Sequence, residues 1–105
     1  MIQDDIRSLL DAPPSGDEAP SLAHIEHTLT SGYARALALE AERLRIERKL
    51  ADVASRLGDE ATDEDASELA RLGQRLSVAD DDLSRLRGLL ASLRTRADQA
   101  RTAAA

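Results

Sequence analysis

The chain contains no cysteine, no tryptophan and no phenylalanine, and Tyr33 is its single aromatic residue. Without cysteine there is no disulfide framework, no thiolate nucleophile and no sulfur ligand for a metal, and nothing signals an oxidising compartment. Apolar runs are short as well, none approaching the roughly 18 residues that span a bilayer. Met1 to Leu10 is interrupted by Asp4, Asp5 and Arg7 and lacks the apolar stretch of an export signal. A cytoplasmic location away from membranes is the expectation. An excess of basic charge is also missing, since the formal net charge is -6, which argues against a protein that coats nucleic acid. With 105 residues, the chain is one domain at most and its core is small. Ala, Leu, Arg, Glu and Asp dominate instead, the composition of long helices and coiled coils, which leaves no β-sheet reading.

The clearest pattern lies between Leu69 and Ala100. Leu69, Leu76, Leu83, Leu90 and Ala97 form one seven-residue series, and Leu72, Ala79, Leu86, Leu93 and Ala100 form a second, three places behind. Such an a/d seam needs a partner helix to cover it. The stretch from Leu22 to Leu57 supplies one, with Leu22, Leu29, Ala36, Arg43, Leu50 and Leu57 in one series and Ile25, Gly32, Leu39, Ile46 and Val53 in the other. Both series keep phase across Thr28, Thr30, Ser31 and Gly32, although these are poor helix formers. One helix of about 36 residues and 54 Å is therefore expected, weakest near Gly32.

Gly58 is the expected stop of that helix, and Thr62 or Asp63 the expected cap of the next. A connector of about six residues makes the two helices antiparallel neighbours, with facing residues whose numbers sum to about 125. The expected hairpin covers residues 21–102, with helices over about 21–57 and 63–102 and a frayed tail at 103–105. Its one seam charge, Arg43, is set beside Asp81 and Asp82, as a register-fixing pair or as a guanidinium extended to the edge.

Ahead of the hairpin, residues 1–11 place Ile2, Ile6, Leu9 and Leu10 on one side of a short amphipathic helix. Alone in water such a helix is unstable, so it must dock. Two outcomes are open, a clamp on its own hairpin or a recognition helix whose Ile2, Ile6, Leu9 and Leu10 contact a partner protein. A linker over residues 12–20, with Pro13, Pro14, Gly16 and Pro20, ends the helix and can span about 25 Å. Asp17 or Ser21 caps the helix that follows.

Tyr33, Leu37, Ala41, Leu44 and Ala51 fall outside the a/d seam and form a second apolar stripe, and Val78 and Leu89 add to it on the other helix. Two helices cannot cover this stripe, so a homodimer that forms a four-helix bundle is expected. Charge gives it an orientation. Residues 58–68 hold acids and no base, whereas residues 85–101 hold Arg85, Arg87, Arg94, Arg96 and Arg101 against Asp98 alone. An antiparallel dimer would bring opposite signs together.

No residue pattern points to catalysis, because a narrow seam of Leu and Ala offers no cavity that desolvates an acid, base or nucleophile. His24 and His27 are adjacent on one helix but at outward positions without a third ligand, so no metal or cofactor is expected. The acidic connector lacks the glycine of a calcium loop. Arg87, Arg94, Arg96 and Arg101 form a candidate anion patch, without the aromatics or groove-entering motif of a nucleic-acid binder. In length and hairpin form the chain resembles the small two-helix substrates of type VII secretion, but their Trp-x-Gly turn is absent from its connector. The expected function is a non-catalytic interaction or oligomerisation module, binding itself and another protein. Alternatives are an anion- or nucleic-acid-binding accessory and a small chaperone or regulator of one client.

Overall fold

The computed structural model describes residues 1–58 and 61–104; Asp59 and Glu60 of the acidic connector and Ala105 of the expected tail lie outside the described residues. The protein is all-helical, with α1 (Ile2–Asp11), α2 (Leu22–Arg56) and α3 (Asp63–Ala104) and no strand among the described residues. Ala103 and Ala104 continue α3, so the helix runs past its expected end at residue 102.

Local chemistry sets the helix starts. Ser21 Oγ accepts a hydrogen bond from the His24 N–H at 3.1 Å, capping α2. At α3 the cap is reciprocal: Thr62 Oγ1 accepts from the Asp65 N–H at 3.1 Å while Asp65 Oδ2 accepts from the Thr62 N–H at 3.3 Å. Asp63, Glu64 and Asp65 also place negative charge in the first turn of α3, against the positive end of the helix. Gly58 follows the end of α2 without using a left-handed conformation. Among the described residues only Gly16 has positive φ, at 94°, where a turn in the linker is closed by Ala19 N–H to Gly16 O at 3.2 Å.

Packing divides the chain into two compact units, Met1–Leu37 with Ser84–Ala105 and Ala38–Leu83. The second is a helical hairpin. Ile46 and Val53 of α2 are buried with Leu72 and Ala79 of α3, and Leu50, Leu69 and Leu76 pack around them. These are a/d residues of all four series, so the heptad pattern is what builds this core. Arg56 lies 4.0 Å from Glu68 and Arg43 lies 3.4 Å from Asp80, later residues of one helix facing earlier residues of the other, the order of an antiparallel pair.

Arg43 corrects the expectation that it pairs with Asp81 and Asp82. Its Nη1 meets Asp80 Oδ1, and its Nε donates to Glu47 Oε1 at 3.2 Å one turn along its own helix. Asp80 holds the e position that flanks the seam, whereas Asp81 at f points away and Asp82 at g borders the other edge. The guanidinium therefore leaves the seam and pairs at its rim. Both partners are well exposed, so the pair contributes no more than roughly 1 kcal/mol.

The first unit is a three-helix arrangement of α1 with residues 22–37 of α2 and 84–104 of α3. Ile25 and Leu29 of α2 and Leu86, Leu90, Leu93 and Ala97 of α3 are buried, together with Ile6 and Leu9 of α1. Gly32 lies at the centre of this unit. A side-chain carbon there would overlap Leu90 Cδ2 and lie 3.5 Å from Ile6 Cδ1, so the helix backbone itself forms the packing surface. The glycine that looks like a weak point in the sequence is a close-approach site, and α2 runs through it unbroken.

Glycines in α3 offer the contrast. Nothing lies within 4 Å of a carbon added at Gly73 or Gly88. Gly73→Ala and Gly88→Ala should each raise stability by about 0.5–1 kcal/mol through helix propensity, whereas Gly32→Leu should lower it by about 1–3 kcal/mol through overpacking. Urea denaturation followed by circular dichroism checks both signs.

Candidate interaction surfaces

The apolar face of α1 is directed at its own chain. Ile6 is 0% and Leu9 7% exposed, and Ile2 and Leu10 are partly covered. Burying each of the two inner side chains is worth roughly 1.5–3 kcal/mol. Of the two outcomes open for Ile2, Ile6, Leu9 and Leu10, the structure shows docking on the chain itself, with Ile6 and Leu9 enclosed.

Both ends of α1 need outside help. No side chain caps its first turn, no basic residue stands in its last, and Ala12 after it is extended (φ -71°, ψ 156°). Its final carbonyls are thus left without intrahelical donors. Arg96 of α3 supplies them: Nη2 donates to Leu10 O at 2.7 Å and Nη1 to Ala12 O at 3.2 Å. A cation placed against the negative end of a helix, with both bonds charge-assisted, is favourable on two counts.

The candidate anion patch is consequently not a set of four equivalent arginines. Arg96 is engaged by α1, and Arg101 donates to Glu26 Oε1 of α2 at 3.0 Å and to Asp98 Oδ1 at 2.8 Å. Arg87 and Arg94 are exposed. Arg96 and Arg101 thus contact other helices of the first unit.

A shallow groove of about 400 Å³ runs between α1 and α2, with Asp5 and Ser8 on one wall and His24, His27 and Ser31 on the other. Among the described residues no three His, Asp or Glu side chains are grouped to hold a metal ion. No helix among them is long and apolar enough to cross a membrane.

Exposed apolar side chains remain in each unit. In the first, Tyr33 is 43% and Leu37 66% exposed; in the second, Leu44 is 46% exposed, with Val78 and Ala41 also at the surface. No protein-family model, curated protein or solved structure matches the chain.

Sequence reasoning passed over Arg96 as a helix cap; its facing rule set Gly32 opposite Leu93, whereas Leu90 is the α3 side chain nearest to it. One signal for the first was present: α1 ends without the glycine or basic residue that would satisfy its carbonyls, so a donor had to come from elsewhere. Arg96→Ala removes two bonds to a charged donor, a loss of about 1.5–3 kcal/mol in docking. Tryptic cleavage after Arg7, which requires α1 to open, should accelerate by about tenfold or more, and mass spectrometry of early digests measures it.

Proposed function

We propose that the protein is a non-catalytic interaction module that self-associates through the exposed apolar side chains of α2, two copies forming a four-helix bundle, and that the same surface serves a second protein. The observation that carries this is Leu37, an aliphatic side chain 66% exposed in a protein that buries even the apolar face of its shortest helix. Tyr33 stands one turn before it, and Leu44 lies further along the same helix. Exposed large aliphatic side chains grouped along one helix mark a contact surface more than isolated ones do.

The energetics suit a reversible dimer. Burial of one leucine gives roughly 1.5–3 kcal/mol and twofold symmetry counts it twice, against an association cost of about 4–15 kcal/mol. A cysteine-free chain suits a reducing cytoplasm. Nucleic-acid binding is not favoured, since Arg96 and Arg101 have structural partners within the chain.

Light scattering at tens of micromolar should give about twice the monomer mass of 11.3 kDa. Leu37→Glu combined with Leu44→Glu should return a folded monomer whose melting temperature no longer depends on protein concentration, because neither side chain belongs to a core. A wild-type chain that stays monomeric at several hundred micromolar sinks the dimer.

A further inference from the structure

We propose that the dimer formed through α2 is antiparallel, and that a charge contact made twice sets its orientation: Arg94 of each copy meets the Glu47 and Asp80 carboxylates of the other. The inference rests on the self-association proposed above, and the occupant it names is a second copy of this chain.

One half of the contact lies within the first unit. Glu26 of α2 and Arg101 of α3, both at e positions, are paired at 3.0 Å. One heptad on along α2 and one heptad back along α3, the e positions are Tyr33 and Arg94. Tyr33 is 43% exposed, and Leu37, one turn further, is 66% exposed. Arg94 is exposed and has no hydrogen-bond or ion-pair partner among the described residues. An unpaired cation thus belongs to the same patch as two uncovered apolar side chains.

The other half lies within the second unit. Glu47 and Asp80, again e positions, share Arg43, whose Nε is 3.2 Å from Glu47 Oε1 and whose Nη1 is 3.4 Å from Asp80 Oδ1. Two carboxylates on one guanidinium leave one negative charge over. Leu44, one turn before Glu47, is 46% exposed. Arg45 and Arg48 occupy c and f positions, further round α2 from the edge that faces Asp80. This patch therefore has the apolar character of the first and the opposite charge at its e edge.

Complementarity decides both occupant and orientation. A copy running antiparallel to the first sets the Tyr33, Leu37 and Arg94 patch of each on the Leu44, Glu47 and Asp80 patch of the other. The two contacts are then equivalent, and the assembly closes at two copies. A parallel copy instead sets Arg94 on Arg94 and carboxylates on carboxylates, which is repulsive. The acids of residues 58–68 and the arginines of residues 85–101 act in the same sense. Charge at such an exposed contact selects orientation more than it adds affinity, and salt screens it.

Charge reversal in the full chain tests the pairing, with dimer dissociation measured by sedimentation equilibrium at low and high salt. Arg94→Glu alone and Glu47→Arg alone should each weaken the dimer by about tenfold or more at low salt, because each change enters twice. Both together should recover most of the loss, and the contrast should shrink at high salt. Orientation is read separately. The chain has no cysteine, so Thr30→Cys and Ala51→Cys, one heptad outside Leu37 and Leu44, each give a chain with a single thiol. With a short bismaleimide neither chain alone should cross-link, whereas their mixture should give the mixed dimer. Cross-linking within each chain alone overturns the antiparallel arrangement. Affinity that ignores both reversals, or a double reversal no tighter than either single one, overturns the charge contact and leaves the dimer standing. A wild-type chain that is monomeric at several hundred micromolar overturns the dimer itself, and this inference with it.

Discussion

Because Gly32 has no side chain, Leu90 of α3 and Ile6 of α1 both come close to the backbone of α2 there, and the first unit packs around that point. A ten-residue helix does not hold its shape in water, so α1 exists only while its apolar face is covered. The contact with Gly32 covers it, and Arg96 completes it by supplying donors to carbonyls that α1 cannot satisfy itself. Sterics place the helix laterally and electrostatics fix where it ends. Neither alone defines the seat: two buried aliphatic side chains permit sliding along a groove, and a guanidinium without apolar contact would be solvated.

The second unit is governed by a simpler constraint. Its core is a heptad seam of aliphatic residues from two helices, closed by Ile46, Val53, Leu72 and Ala79. Large and small side chains share this core, as Ile46 and Ala79 do, the mixture that close packing of two helices needs. Arg43 interrupts the seam but carries its charge to Asp80 and Glu47 at the rim, so no charge is enclosed. The polar residue is tolerated because the guanidinium stem is long enough to reach water.

The heptad series made much of this legible beforehand. Ile25, Ile46, Val53, Leu72, Leu83, Leu86 and Leu93 were identifiable as core from spacing alone and are buried, because periodicity records which face of a helix is covered. It does not record what covers a face. The pattern of Ile2, Ile6, Leu9 and Leu10 therefore fitted docking on a partner as well as docking on the chain itself, and only tertiary packing separates the two. Charge pairing was similarly hidden. One residue decides between Asp80 and Asp81, finer than a register argument from connector length can reach. Arg96 resembled its neighbours in every sequence property, and its acceptors are main-chain carbonyls 84 and 86 positions away, which no side-chain pattern encodes.

The two candidate surfaces differ in kind. Tyr33, Leu37 and Leu44 are exposed along α2, whereas the apolar face of α1 is covered by its own chain. Which description holds for α1 rests on whether its face is engaged in the absence of any partner. Native-state hydrogen exchange on the isolated protein measures this. The amides from Ile6 to Leu10 should be protected, with an opening free energy below that of the buried stretches of α2 and α3. Exchange of those amides at the rate of an unstructured peptide would contradict the intramolecular docking on which the account stands.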